Sequence, residues 1–255
     1  MNRRFLARCL YADLLKLRRT SLLASVVLAP YLVTLVFALF AAFDGERFLE
    51  PDRAWSWLAG SSLRLFSLIV LPVWIALTAA QLAAIEHRSR GFQHLFACGL
   101  PRAPIYWSKL FVVWLLSAAV ILGQAMALVL AGWILRWLKP GLGFESAVPW
   151  SLLGGAGLTL AMASGFLVAL QLWLVVVRRD AVVPIALGLV GVLTAVLLSA
   201  LDASAAAFHP WAYPSRALGA ILDEGKSWPW ALAGVAGGLG LTGVAALDFS
   251  GREMP

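Results

Sequence analysis

Six apolar runs, each about as long as a lipid bilayer is thick, constrain this chain more than any other feature. A helix of about 20 apolar residues crosses the hydrocarbon core. Runs of that length lie at about 21–43, 62–85, 110–135, 150–177, 181–201 and 230–247. Lipid offers backbone N–H and C=O groups no partner, so each run must satisfy its own as a helix. Composition points the same way: 62% of the residues are hydrophobic and 13% charged, against roughly 45–50% and 25% in a soluble domain. The sequence therefore predicts an all-α membrane protein with six transmembrane helices and one transmembrane domain over residues 1–255. The connections are of loop size, and no soluble domain is expected. The basic N-terminus precedes a run long enough to span and without a small-residue cleavage site, so no cleavable signal peptide is expected.

Orientation follows from lysine and arginine, which concentrate on the cytoplasmic side. With both termini inside, Arg3, Arg4, Arg8, Lys16, Arg18, Arg19, Arg88, Arg90, Arg102, Lys109, Arg178, Arg179 and Arg252 are cytoplasmic, 13 of the 20 cations. Arg47, Arg53, Arg136, Lys139, Arg216 and Lys226 fall outside, and Arg64 sits near the outer end of the second span. The expectation is N-in and C-in, with Arg64 snorkelling to the outer surface. The charge of +7 then reports orientation and contact with lipid, not nucleic acid. Cys9 and Cys98 fall on the reducing side, and no disulfide is expected.

Residues 2–19 read as an amphipathic helix at the membrane surface, with Leu6, Leu10, Leu14 and Leu17 in one stripe and arginines opposite. Asp13 falls within the apolar arc. Pro30 and Pro72 predict kinks in the first two spans. The loop 44–60 is acidic, and its Trp55 and Trp57 read as interface anchors. Gly157, Ala161 and Gly165 in the fourth span, and Gly234 and Gly238 in the sixth, have the four-residue spacing that lets helices approach closely. Residues 202–229 are too polar and too broken to cross, and 212–222 reads as a short re-entrant or surface helix.

The sequence offers little chemistry of its own. His87 and His94 lie on the inner surface and His209 in an outer loop, so they cannot converge on a metal. Ser164 beside Gly165 has no histidine in any other span to activate it. No catalytic or metal site is expected. The phosphate-binding pattern G-x-x-x-x-G-K-[ST] is missing from the sequence, so ATP hydrolysis would belong to another subunit. Charges inside the spans are nearly absent, whereas an ion-coupled carrier buries them. Three glutamines remain, Gln81, Gln124 and Gln171. They suit either a polar path lining or hydrogen bonds between helices.

The longest polar interruption between spans, Glu86 to Lys109, is also the most organised. Phe92, Leu95 and Phe96 fall at i, i+3, i+4, and Gly99 with Pro101 closes the piece. Two readings stand: a cytoplasmic helix that docks a soluble partner, or a basic loop that only fixes topology.

The run Glu86, Gly91-Phe92-Gln93, Leu95, Leu100-Pro101, Arg102, Ile105-Tyr106 and Lys109 resembles the coupling region of type-2 ABC transporter permeases. Asp13-Leu14-Leu15-Lys16-Leu17-Arg18-Arg19-Thr20 is similar to the start of that family, within its elbow helix. Asp13 stands where Glu is usual and Phe92 where Trp is frequent. The resemblance implies an N-terminal elbow helix, a cytoplasmic coupling helix between spans two and three, and a bacterial inner-membrane location. It implies two cytoplasmic ABC ATPase subunits, which use ATP and magnesium while this chain binds no cofactor, and a second permease, the same or a homologous chain. Glu86, Arg88, Gly91, Phe92, Leu95, Phe96, Asp13 and Lys16 would be the coupling residues. The size and short outer loops look most like permeases exporting bacteriocins and peptide antibiotics, including lantibiotic-immunity and bacitracin-resistance types. Other cargoes (lipid, polysaccharide, heme) and a non-transporting scaffold are the competing readings.

Overall fold

The computed structural model describes residues 3–17, 20, 22–88, 102–178, 182–201, 204–223 and 227–251, with backbone alone at 3–6, 83, 85–88, 102–103, 177–178 and 249–251. Among the described residues there are helices and no strands, and six of the helical stretches are long and apolar enough to cross a membrane. They are Leu22–Phe48, Pro51–Leu82, Pro104–Leu138, Trp150–Val176, Val182–Ala200 and Trp228–Asp248. The six-span reading holds.

The helices of the first, second, third and sixth spans run further than their apolar windows, because helix continues into polar flanks once the core anchors it. The second span starts at Pro51, as a 3-10 turn to Arg53 followed by the helix Ala54–Leu65. Trp55, read as an interface anchor, is instead 6% exposed. Its ring meets Phe144 edge-on, and its Nε1 donates to the Ser146 carbonyl at 3.3 Å. The loop 139–149 folds back over the helix end and covers it. Gly143 in that loop has φ +98°, and a Cβ there would collide with the Pro51 carbonyl, so only glycine suits the position.

Proline shapes the interior of the second span. Pro72 has no N–H to donate, and its ring crowds the carbonyl four residues back. The turn before it widens into a π-helix, Phe66–Val70, and the Leu71 N–H reaches the Phe66 carbonyl instead. Pro30 in the first span is buried, and a Cβ on Gly123 of the third span would come within 3.3 Å of its ring. The fourth span breaks at Ser164 into Trp150–Ala163 and Gly165–Arg178. The Ser164 hydroxyl donates to the Ala161 carbonyl at 3.1 Å.

The sixth span packs against this break. A Cβ on Gly234 would lie 2.5 Å from the Met162 and Ala163 carbonyls, and one on Gly238 would lie 2.8 Å from Gly165. The small-residue pattern in the sixth span is thus a true close approach, with Gly165 as its counterpart. Gly157 makes only an ordinary contact, with Ile121 at 3.8 Å.

The middle three spans form the core. Windows of the second, third and fourth are 61%, 56% and 56% buried, against 22%, 28% and 28% for the first, fifth and sixth. Leu58, Phe66, Leu71, Ile75, Val112 and Leu160 are among the fully buried side chains. Between spans five and six, two short 3-10 turns lead into the helix Tyr213–Leu222. It packs on the first half of span four, on span six and on span two. Pro214, Ala217 and Leu218 are buried there, so this helix is embedded in the bundle.

Candidate functional site

The N-terminal helix, Arg3–Leu17, lies along the start of the third span's helix, Arg102–Leu138. Apolar residues hold it: Leu17 is 1% exposed, and Leu10 and Leu14 pack against the core. Asp13 faces the same way, which explains its place in the apolar arc. It is 4% exposed, and its Oδ1 accepts from Lys109 Nζ at 3.0 Å. Its Oδ2 lies 2.8 Å from Ser108 Oγ, whose single proton is shared with the Ile105 carbonyl at 3.0 Å. Lys109 and Ser108 are each 1% exposed.

Both charges of this pair are therefore removed from solvent, and neither is tolerable alone. Desolvating a lone carboxylate or ammonium costs several kcal/mol, and the pairing offsets that cost only while the geometry holds. The pair acts as a positional lock between two helices far apart in sequence. Cys9, one turn earlier, is half-buried against Ile105, Tyr106, Leu172, Val176 and Ala245. Burial, and then the Asp13 carboxylate, push its thiol above the usual range, with Lys109 and Lys16 opposing.

The other candidate coupling residues divide by position. Lys16 is exposed. The helix of the second span continues through Glu86 and Arg88, whose side chains lie outside the described residues. Gly91, Phe92, Leu95 and Phe96 lie outside them altogether. The pair Asp13–Lys109 thus sits at the root of the third span, where the chain emerges from segment 89–101.

The three glutamines occupy different surroundings. Gln124 is fully buried, and its Nε2 donates to Ser62 Oγ at 2.8 Å and Thr34 Oγ1 at 3.0 Å. Those two hydroxyls are 3.3 Å apart. This network ties spans one, two and three together. Gln171 is also fully buried, and no hydrogen bond satisfies its side-chain amide among the described residues. A Cβ on Gly188 of the fifth span would lie 3.0 Å from Gln171 Nε2. Gln81 is half-buried.

Sequence reasoning did not pair Asp13 with Lys109 and Ser108, nor Gln124 with Thr34 and Ser62. The signal for the first was present: an acid on the apolar face of a surface helix needs a buried cation. Arg64, expected to snorkel to the outer surface, is half-exposed and binds Asp223 at 2.8 Å, a partner the sequence did not announce.

Six apolar spans around a polar-locked core, with an embedded helix before the last span, define a multi-pass membrane protein. A family model described as ABC-2 family transporter protein matches residues 9–195, and the chain belongs to that family. Comparisons with curated proteins and with solved structures gave no match. Membership makes the chain a type-2 permease of an ABC transporter system, in which an ATPase is its partner. A bacterial inner membrane fits the family.

Proposed function

We propose that this permease works as half of an exporter core, paired with a second permease of the same or a homologous chain and with two cytoplasmic ATPase subunits. ATP and magnesium are used by those subunits, and this chain supplies no catalytic site. Its cargo is an amphipathic compound, a peptide antibiotic or bacteriocin, and its role is efflux or self-immunity. The short outer loops and the lack of any charged residue deep in the apolar runs support a path for an amphipath driven from elsewhere.

The observation that carries the proposal is the buried Asp13–Lys109 pair. Motion of the ATPase, received at Glu86–Pro101 and at the N-terminal helix, passes into the third span through that pair. The networks of Gln124 then extend it to spans one and two. The chain should co-purify with its ATPase from the native host in mild detergent, and the association should be lost on Glu86→Ala or Phe92→Ala. Retention of the ATPase by a chain lacking residues 86–101 would overturn the docking assignment.

A further inference from the structure

We infer that the cavity between the second span, the end of the fifth span and the embedded helix Tyr213–Leu222 is a binding site for the phosphate head group of an amphipathic molecule. The cavity has a volume of about 460 Å³ and is lined by Arg64, Ser67, Ser199, Arg216, Asp223 and Trp230 among others. It lies at the end of the bundle opposite the N-terminal helix, which the lysine and arginine distribution assigns to the outside. The inference stands on this cavity and is independent of the transport reading.

Three observations point to an oxyanion. Arg216 Nε is buried and has no acceptor among the described residues, a costly state for a charged donor that an oxyanion relieves. The Arg216 guanidinium lies 5.8 Å from the centre of the Trp230 ring, and both residues line the cavity. Arg64 is bound to Asp223 at 2.8 Å, yet the two side chains remain 55% and 65% exposed, so the mouth is open. The described lining thus carries two cations and one anion.

Within the described lining, that single excess positive charge matches one phosphodiester. A free phosphate, with roughly 1.5 to 2 negative charges at neutral pH, would meet repulsion from Asp223. The volume exceeds what one small ion fills and falls within the range of head-group and ligand pockets. Leu68 and Trp230 provide apolar lining beside the charges, and an indole at this level suits the membrane interface. Head group on arginine and apolar body along the bundle is the arrangement these residues favour.

The test uses the full chain in detergent without ATPase or nucleotide, read by native mass spectrometry. Phosphatidylglycerol and phosphatidylcholine are the probes, since they share an apolar body and differ in net charge. Phosphatidylglycerol should be retained preferentially. Arg216→Gln should weaken its retention about tenfold, and Arg216→Lys should weaken it less. Asp223→Asn should strengthen it, because Arg64 is then freed for the ligand, and a merely structural ion pair would not give that sign. Displacement by inorganic phosphate at millimolar concentration would transfer the site to the free ion and overturn the amphipath. Equal retention by the wild type and Arg216→Gln, or no gain with Asp223→Asn, would overturn the site itself.

Discussion

A carboxylate on the apolar side of an amphipathic helix is a local contradiction, and Asp13 resolves it by pairing with Lys109 across 96 residues of sequence. Removing one partner strands the other. Asp13→Asn or Lys109→Met should each lower stability by about 3–5 kcal/mol, whereas Asp13→Leu with Lys109→Met should recover much of the loss. Thermal unfolding of the purified chain measures both. Single losses under about 1 kcal/mol would mean that the pair is solvated and no lock. His209 gives a residue-scale pH effect. Its ring accepts or donates at Thr194 Oγ1, 3.0 Å away, and burial holds its pKa below 6.5. The folded state resists protonation, so the unfolded state binds more protons just below pH 6.5 and stability falls as pH drops through that window. The melting temperature should decline more steeply between pH 7.5 and about 5.5 than in His209→Gln. Parallel profiles would assign the acid sensitivity elsewhere.

At the scale of elements, close approach and broken helices go together. The fourth span breaks at Ser164, and there the backbone of the sixth span comes nearest through Gly234 and Gly238. Gly238→Val places a side chain against the Gly165 backbone, which cannot move aside as a flexible side chain could. Overpacking of this kind costs about 1–3 kcal/mol or more, and the folded yield in detergent should drop. Gly240→Ala is the control, since a Cβ there meets nothing within 4 Å and should leave the yield unchanged. Much of this layer was legible in the sequence. Apolar windows marked the spans, Pro72 marked the irregular turn in span two while Pro30 lies in an uninterrupted helix, and the glycine spacing in span six marked the contact. Trp55 was not legible, because its burial depends on a loop some 90 residues later folding over it. The partner of Asp13 was hidden for the same reason. Periodicity shows which face a residue occupies, while the element that covers that face is set by tertiary packing. Hydroxyls such as Thr34 and Ser62 are too common in apolar helices to announce the Gln124 network.

For the whole molecule, the middle three spans carry the packing and the outer three present apolar side chains outward. Leu28, Leu32, Leu35 and Val36 of span one, and Val190, Leu193 and Leu197 of span five, are exposed. Lipid or a second permease must cover them, and the proposed pairing predicts that single cysteines at Leu32 and Leu193 cross-link between chains in native membranes. Such cross-links should form with a short bifunctional reagent and vanish when a chain without cysteine at those positions is substituted.

The central claim is that an ATP-driven neighbour supplies the force this bundle transmits. Reconstitution into lipid vesicles tests it most directly, with accumulation of a labelled amphipathic peptide as the measurement. The chain with its ATPase and ATP should move the peptide, and the chain alone, or the complex with Asp13→Asn, should not. Movement by the chain alone under a proton or sodium gradient would contradict the account.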